Sequence, residues 1–361
     1  MARRAVLRIN YVLPTGILTG GIRTFYEVSV RLIQKGHEIS LVFPEAPGSA
    51  FGWQGQVLYP RMARIKKFAK KALDRYLVNG LYSECEYLDL ESIIPECDVN
   101  FATTSLTAFT VHRSGRGRPF YHMQHYEPLF TDDPRLQRKV EETYYLPLTR
   151  IANSSWLKKT VYEKTGADSH LVLHGMDHGV FYPRETPREG GKKRIVAFAK
   201  QATWKGVPDL LEAMEIVFAE RKDVELILFG SHPITHTRKG VPYKFLRGIS
   251  DDELARLYSS ADVVACPSWY ESFPLPPLEA MACGAPVATT RIGTEDYAFD
   301  GENALVVPPR DPKRMAGAIL ELLKNESLCE QFRKAGPKTA KEFSWDKTAD
   351  NIDSILRKVV K

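Results

Sequence analysis

Apolar residues along this chain fall into two alternating rhythms. Short, nearly continuous apolar runs are followed by longer stretches in which apolar positions recur every three or four residues. The first is the pattern of a strand buried on both faces, the second that of an amphipathic helix. Residues 5–13 predict a strand. Phe25, Val28, Leu32 and Ile33 predict a helix that Gly36 ends, and His37 to Phe43 predicts the next strand. The same alternation returns with a strand from Arg194 to Ala199. A helix from Pro208 then turns Leu210, Leu211, Met214, Val217 and Phe218 inward, and a strand follows from Val224 to Phe229. Further strands are predicted at Tyr243 to Arg247, Asp262 to Cys266, Val287 to Thr290 and Ala304 to Val307. Ser250-Asp251-Asp252-Glu253 is a capping box opening a helix to Ser260. Asp311-Pro312 opens another, with helical segments about 328–342 and 346–360 at the end. Strand, turn, helix, strand, repeated in both halves, is the mark of an α/β protein with two doubly wound, Rossmann-like parallel sheets.

The length, 361 residues, suits two domains. Pro183 to Lys193, with two prolines, Gly190-Gly191 and mixed charge, reads as the linker. It divides an N-terminal domain, 1–182, from a C-terminal one, 194–342.

Charge changes this picture in one place. The net charge of +6 is too mild to imply nucleic acid. Residues 61–77, however, carry seven basic residues and one acid, Asp74, with Ile65, Phe68, Ala69, Ala72, Leu73 and Tyr76 on one helical face. Such a helix either packs on the sheet with a solvated basic face or lies on an anionic membrane surface. No apolar run approaches the ~20 residues that span a bilayer, and Arg8 and Asn10 make the N-terminus a poor signal peptide. The five cysteines (85, 97, 266, 283 and 329) form no Cys-x-x-Cys, which argues against a disulfide framework or a zinc site and fits a reducing compartment. The expectation is a cytoplasmic protein, peripheral at the inner membrane face if residues 61–77 bind lipid.

The chemistry centres on Cys266 to Val287, CPSWYESFPLPPLEAMACGAPV. A strand end leads into a loop with Ser268, Glu271, Ser272 and Phe273, and a helix is expected to start near Pro277 and stop at Gly284. Glu271 and Glu279, seven residues apart in between, fall in the loop and in the expected first turn of that helix. A carboxylate there complements the helix dipole, so Glu279 taken alone has a structural explanation. In open α/β sheets, though, the crevice beyond the strand ends is where ligands bind. The string from Pro267-Ser268 through Glu279-Ala280-Met281-Ala282-Cys283-Gly284 to Pro286-Val287 resembles the Glu-x7-Glu signature of retaining glycosyltransferases of family four, also called glycosyl transferases group 1.

That resemblance implies the GT-B fold, in which two Rossmann-like domains face a central cleft and the last helix, here 343–361 with Phe343-Ser344-Trp345 as its entry, returns to the first domain. It implies a hexosyl transfer from a nucleotide-diphosphate sugar to an acceptor hydroxyl with retention, in cell-surface glycan or glycolipid synthesis. UDP-, GDP- and dTDP-linked donors stay open, as does a lipid-linked or glycan acceptor. Neither metal nor cofactor is required, and no Asp-x-Asp motif occurs. Carried over residue by residue, the resemblance gives Lys200 and Lys205 the donor diphosphate, with lysine at 200 where the family has arginine. Gly20 and Gly21 face the phosphates, Gly248 and Ile249 hold the base, and Glu279 holds the ribose. Glu271 orients the sugar with the amides of Phe273 and Leu275, and His125, beside His122 and Gln124, lies near it. Catalytic roles thus fall to Glu271, Lys205, Lys200 and His125. His174 stands where the family has asparagine, and Pro274 where many members have glycine. Two other readings remain: a binding subunit that holds nucleotide sugar without consuming it, and a related epimerase or phosphorylase.

Overall fold

The computed structural model describes residues 5–15, 20–44, 56–58, 90–186, 191–235 and 240–360. The basic segment 61–77 lies outside the described residues. The chain divides into two compact units, one of residues 1–174 with 345–361 and one of residues 175–344. The division therefore falls at Gly175, ahead of the segment 183–193. Residues 183–186 belong to the second unit, where Arg184 Nη1 binds Asp252 Oδ1 at 2.5 Å.

In the first unit, β1 (Arg8–Val12), β2 (Glu38–Val42), β3 (Gln56–Leu58), β4 (Val99–Ala102), β5 (Arg118–Met123), β6 (Thr149–Ala152) and β7 (His170–Leu171) form one sheet. Its order is β3-β2-β1-β4-β5-β6-β7 and every pairing is parallel. β1 and β4 carry near-continuous buried runs because helices cover both faces. Helix α1 (Gly20–Gln34) buries Phe25, Val28 and Leu32 on one side, joined there by Trp345, Ile352 and Leu356 of the last helix, Trp345–Val359. That helix is also bound by charge. Arg31 Nε meets Asp346 Oδ1 at 2.7 Å, Lys35 pairs with Asp350, and the buried His37 ring meets Asp353 Oδ1 at 2.9 Å.

In the second unit, β8 (Lys193–Phe198), β9 (Val224–Gly230), β10 (Lys244–Arg247), β11 (Val263–Cys266), β12 (Val287–Thr290) and β13 (Leu305–Val307) take the order β10-β9-β8-β11-β12-β13, again all parallel. The strand order reverses between β8 and β11, so their carboxyl ends flank a topological switch point. The core gathers Leu210, Met214 and Val217 of helix Val207–Glu220 with Ile319 and Leu322 of helix Pro312–Lys324.

Candidate active site

The site is built from the two loops that leave β8 and β11. After β8 the chain passes Lys200 and makes a short 3-10 turn, Thr203–Lys205, before Gly206 starts the next helix. After β11 it passes Pro267 and Ser268 to Glu271. The loops are joined along their length. The amide of Trp269 donates to the carbonyl of Trp204 at 2.7 Å. The rings of Trp204 and Tyr270 stack at 6.2 Å with 13° between their planes. Gly206 has φ +65°, and a β-carbon on it would stand 2.0 Å from the carbonyl oxygen of Pro267, so only glycine lets the loops meet this closely.

Their register brings Lys205 to Glu271. Lys205 Nζ donates to Glu271 Oε2 at 2.6 Å, and Ser268 Oγ donates to Glu271 Oε1 at 2.6 Å. Both carboxylate oxygens are thus held by a donor. The two charged side chains are 15% and 17% exposed, which keeps them within reach of a ligand while shielding the pair from bulk water. Thr290 Oγ1, at the end of β12, donates to the carbonyl of Ser268 and fixes the loop from below. Lys200 stands near both charged partners. The residue as a whole is exposed, yet burial of its amine first, and the charge of Lys205 second, hold it below the usual lysine range against the pull of Glu271. Among the described residues no hydrogen bond or ion pair engages it. Phe198, Ser268, Glu271, Pro274, Pro276, Pro277, Thr290 and Thr294 line a pocket between these strand ends.

The helix after the loop runs Leu275–Ala282, two residues earlier than the sequence implied, with Pro274 as its N-cap. Proline lacks the N–H that would be unpaired at these positions, so Pro276 and Pro277 fit the second and third places without loss. Leu275 alone among the first three helical residues carries an amide. The shift also moves Glu279 out of the first turn, where no acidic residue lies. Glu279 is the fifth helical residue, half-buried, four positions on from Leu275 and on the same face. The helix dipole therefore does not explain Glu279. Phe273 is buried against Tyr297 and Phe343 at 5.2 and 5.7 Å, and Tyr297 donates its hydroxyl to the carbonyl of Pro274 at 2.6 Å. Gly248 and Ile249 follow β10 at the same sheet edge. The Gly248 amide donates to Gly230 O at 3.0 Å.

The remaining expected residues lie in the first unit and are described by themselves. Gly20 and Gly21 open helix α1. Gln124 Oε1 is 3.8 Å from where a Gly21 β-carbon would stand. His125 packs its ring against Phe130 and Trp156 at 4.5 and 5.7 Å, and its Nδ1 is 3.2 Å from the carbonyl of Tyr126. His122 is fully buried against Phe25, which lowers its pKa to about 4 and leaves it neutral. His174 also has a lowered pKa, about 3, from burial and then from His122. Its Nε2 lies 3.1 Å from Asn153 Nδ2 and its ring packs on Trp345 at 5.8 Å, so it joins β6 to the last helix. Glu127, in the same stretch, accepts from the Ser105 amide and, at 2.7 Å, from its hydroxyl, capping helix Ser105–Ser114.

Two partners were not evident from the sequence. Ser268 bonds the residue three ahead of it, and Gly293 packs under Glu271. A β-carbon on Gly293 would lie 2.2 Å from the Glu271 carbonyl oxygen. The Gly293-Thr294 pair after β12 was the available signal for the second.

Residues 182–339 match the family described as Glycosyl transferases group 1. The MMP alpha-(1->4)-mannosyltransferase of Mycolicibacterium hassiacum is 34% identical over 211 residues, 53% of this chain and 48% of that protein. The D-inositol 3-phosphate glycosyltransferase of Corynebacterium urealyticum is 38% identical over 115 residues, 32% of this chain and 27% of the relative. The chain thus spans about half, or less, of the length of these curated relatives. Among solved structures, sucrose-phosphate synthase from Thermosynechococcus elongatus superposes with a TM-score of 0.74 at 18% identity, covering 98% of each chain. HepE of Anabaena in complex with UDP-glucose gives 0.73 at 16%, covering 98% of this chain and 100% of that one. At these identities the likeness shows the fold alone, and the fold is GT-B.

Proposed function

We propose that this chain is a retaining glycosyltransferase that moves a hexosyl group from a nucleotide-diphosphate sugar to an acceptor hydroxyl. The observation that carries this reading is the Ser268–Glu271–Lys205 arrangement at the switch point of the family-matching segment. A sugar–phosphate bond that breaks places negative charge on the departing diphosphate and positive charge on the sugar. Lys200 and Lys205 are the fixed cations for the first. They act as point charges, since neither has the fork of an arginine. Glu271 is the group that orients the sugar through its hydroxyls, with the Leu275 amide beside it. Glu279 accepts from the ribose diol, for which a carboxylate has enough lone pairs. The acceptor attacks the face from which the leaving group departs, and a phosphate oxygen takes its proton. The lysines fill the role a metal would otherwise have, so the reaction runs without one.

HepE of Anabaena forms a complex with UDP-glucose, which favours a uridine or related nucleotide here. The mannosyltransferase and D-inositol 3-phosphate relatives favour a polar, hydroxyl-rich acceptor, and a place in cell-surface glycan or glycolipid synthesis is part of this reading. The test is release of nucleoside diphosphate from UDP-, GDP- and dTDP-hexoses, with and without EDTA. Acceptor-dependent release that survives EDTA supports the reading, and no release from any donor refutes it.

A further inference from the structure

We propose that Ser268 is a positioning residue for this site. It holds the Glu271 carboxylate in place and thereby sets how much of the Lys205 charge an incoming diphosphate meets. The inference rests on the proposed function and deepens it.

Glu271 is pinned at three points. Ser268 Oγ takes Oε1 and Lys205 Nζ takes Oε2, each at 2.6 Å, while Gly293 packs against the Glu271 carbonyl from beneath. Ser268 is itself anchored, because Thr290 donates to its carbonyl and the neighbouring Trp269 amide is bound to Trp204. The result is a continuous hydrogen-bonded chain from the end of β12 through the β11 loop to the β8 loop.

In this arrangement Glu271 is an internal anion on the cation that a diphosphate needs. A phosphate must share Lys205 with it, whereas Lys200 feels Glu271 through space but makes no hydrogen bond or ion pair among the described residues. The hydroxyl of Ser268 limits the competition. By donating to Oε1 it takes up part of the carboxylate's hydrogen-bonding capacity, and Lys205 holds Oε2. Without it, more of the carboxylate's charge falls to its remaining donors, Lys205 among them, and the internal anion becomes a stronger competitor. A charged group left without a fixed partner seeks another wherever water is scarce.

The variants therefore act in opposite directions on anion binding. Glu271→Ala removes the competitor and tightens binding of inorganic pyrophosphate and of nucleoside diphosphate, by about tenfold or more if one charge-assisted contact is released. Ser268→Ala weakens both, by about threefold to tenfold. Because Ser268 acts through Glu271, the Ser268→Ala effect disappears when Glu271→Ala is already present, as a double-mutant cycle reads directly. Ser268→Thr keeps the hydroxyl and restores wild-type affinity. In turnover, Ser268→Ala lowers kcat more than it raises KM, since the sugar-orienting carboxylate is no longer fixed.

The experiment is calorimetric titration of the full chain with pyrophosphate and with UDP, GDP, dTDP and ADP, for wild type, Ser268→Ala, Ser268→Thr, Glu271→Ala and the double variant. Opposite shifts that collapse in the double variant support the proposal. If wild type binds but Glu271→Ala fails to tighten, or Ser268→Ala weakens binding equally in both backgrounds, Ser268 has only a structural role and the proposal is overturned while the function stands. If wild type binds neither pyrophosphate nor any nucleotide, the proposed function falls and this inference with it. Should Ser268→Ala not fold, Ser268→Thr against Glu271→Ala still decides it: failure of Glu271→Ala to tighten overturns the proposal.

Discussion

Gly293 lies directly beneath the backbone of Glu271: a β-carbon at Gly293 would stand 2.2 Å from the Glu271 carbonyl oxygen and 2.7 Å from its carbonyl carbon. With φ at +91°, Gly293 is also in backbone space that other residues rarely adopt. The loop that carries the Glu271 carboxylate therefore sits where it does because residue 293 has no side chain. Gly293→Ala must displace it, and we expect a loss of about 2–4 kcal/mol of stability together with a drop in turnover, read by urea unfolding and by donor hydrolysis. Gly20→Ala is the control. Nothing lies within 4 Å of its added β-carbon and its φ is ordinary, so stability should hold or rise slightly.

Under the proposed function, Lys205 and Lys200 carry unequal shares of the donor diphosphate's charge. Lys205→Ala removes a cation and strands a carboxylate that is only 17% exposed. We expect kcat/KM to fall by roughly tenfold to a thousandfold, with a lower Tm as well. Lys200→Ala strands no partner among the described residues, so its loss should appear in donor affinity with little change in Tm. Lys200→Arg restores a charge with a fork, and its affinity for donor should equal or exceed that of wild type. Donor KM and thermal unfolding of the three variants separate these outcomes.

His125 offers a test of ring against nitrogen. Its imidazole packs between Phe130 and Trp156. His125→Phe keeps the aromatic packing and removes the nitrogens, while His125→Ala removes both. Equal kcat/KM loss in the two variants would assign the nitrogens a part in catalysis. Full activity in His125→Phe, with destabilisation only in His125→Ala, would make the residue a packing element. From the packing seen here we expect the second result, with about 1–3 kcal/mol lost in the alanine variant.

The last helix is held to the first unit by buried polar contacts that acid should weaken. Asp353 accepts from His37 at 2.9 Å and from Arg357, and its carboxyl lies below the usual aspartate range: burial pushes it up, but the Arg357 and His37 bonds outweigh that. A depressed folded pKa contributes stability above the unfolded value near ~3.9 and loses it as pH falls through the folded one. Asp353→Asn should therefore cost about 2–4 kcal/mol at pH 7, and the gap to wild type should narrow below about pH 4. Urea titrations at pH 7 and pH 3.5 would show it; a gap independent of pH would contradict it.

The two doubly wound sheets were legible because buried parallel strands are written as unbroken apolar runs, such as Val263–Cys266, and the helices between them keep their period, as Leu210, Met214 and Val217 do. The pair of carboxylates and the two lysines were legible through their local strings. What joins them was not. Lys205 and Glu271 are 66 residues apart and His37 and Asp353 are 316 apart, and no periodicity encodes a contact at such distances. The helix start was misplaced by two residues because prolines at 274, 276 and 277 are each compatible with a helix entry. Ser268 stood in the motif string, but its bond to Glu271 was not legible, since a serine after a strand is common in any loop.

We propose that the second unit binds a nucleoside diphosphate through Lys200 and Lys205 beside Glu271. The most direct measurement is a thermal-shift comparison of wild type and Lys205→Ala with UDP, GDP, dTDP and ADP, each followed by hydrolysis of its sugar form. A ligand at a hundred times its Kd stabilises by about 2.7 kcal/mol. We expect that one nucleotide stands out, that its shift shrinks in Lys205→Ala, and that its sugar nucleotide is slowly consumed. No shift with any of the four, or a shift indifferent to Lys205, would contradict it.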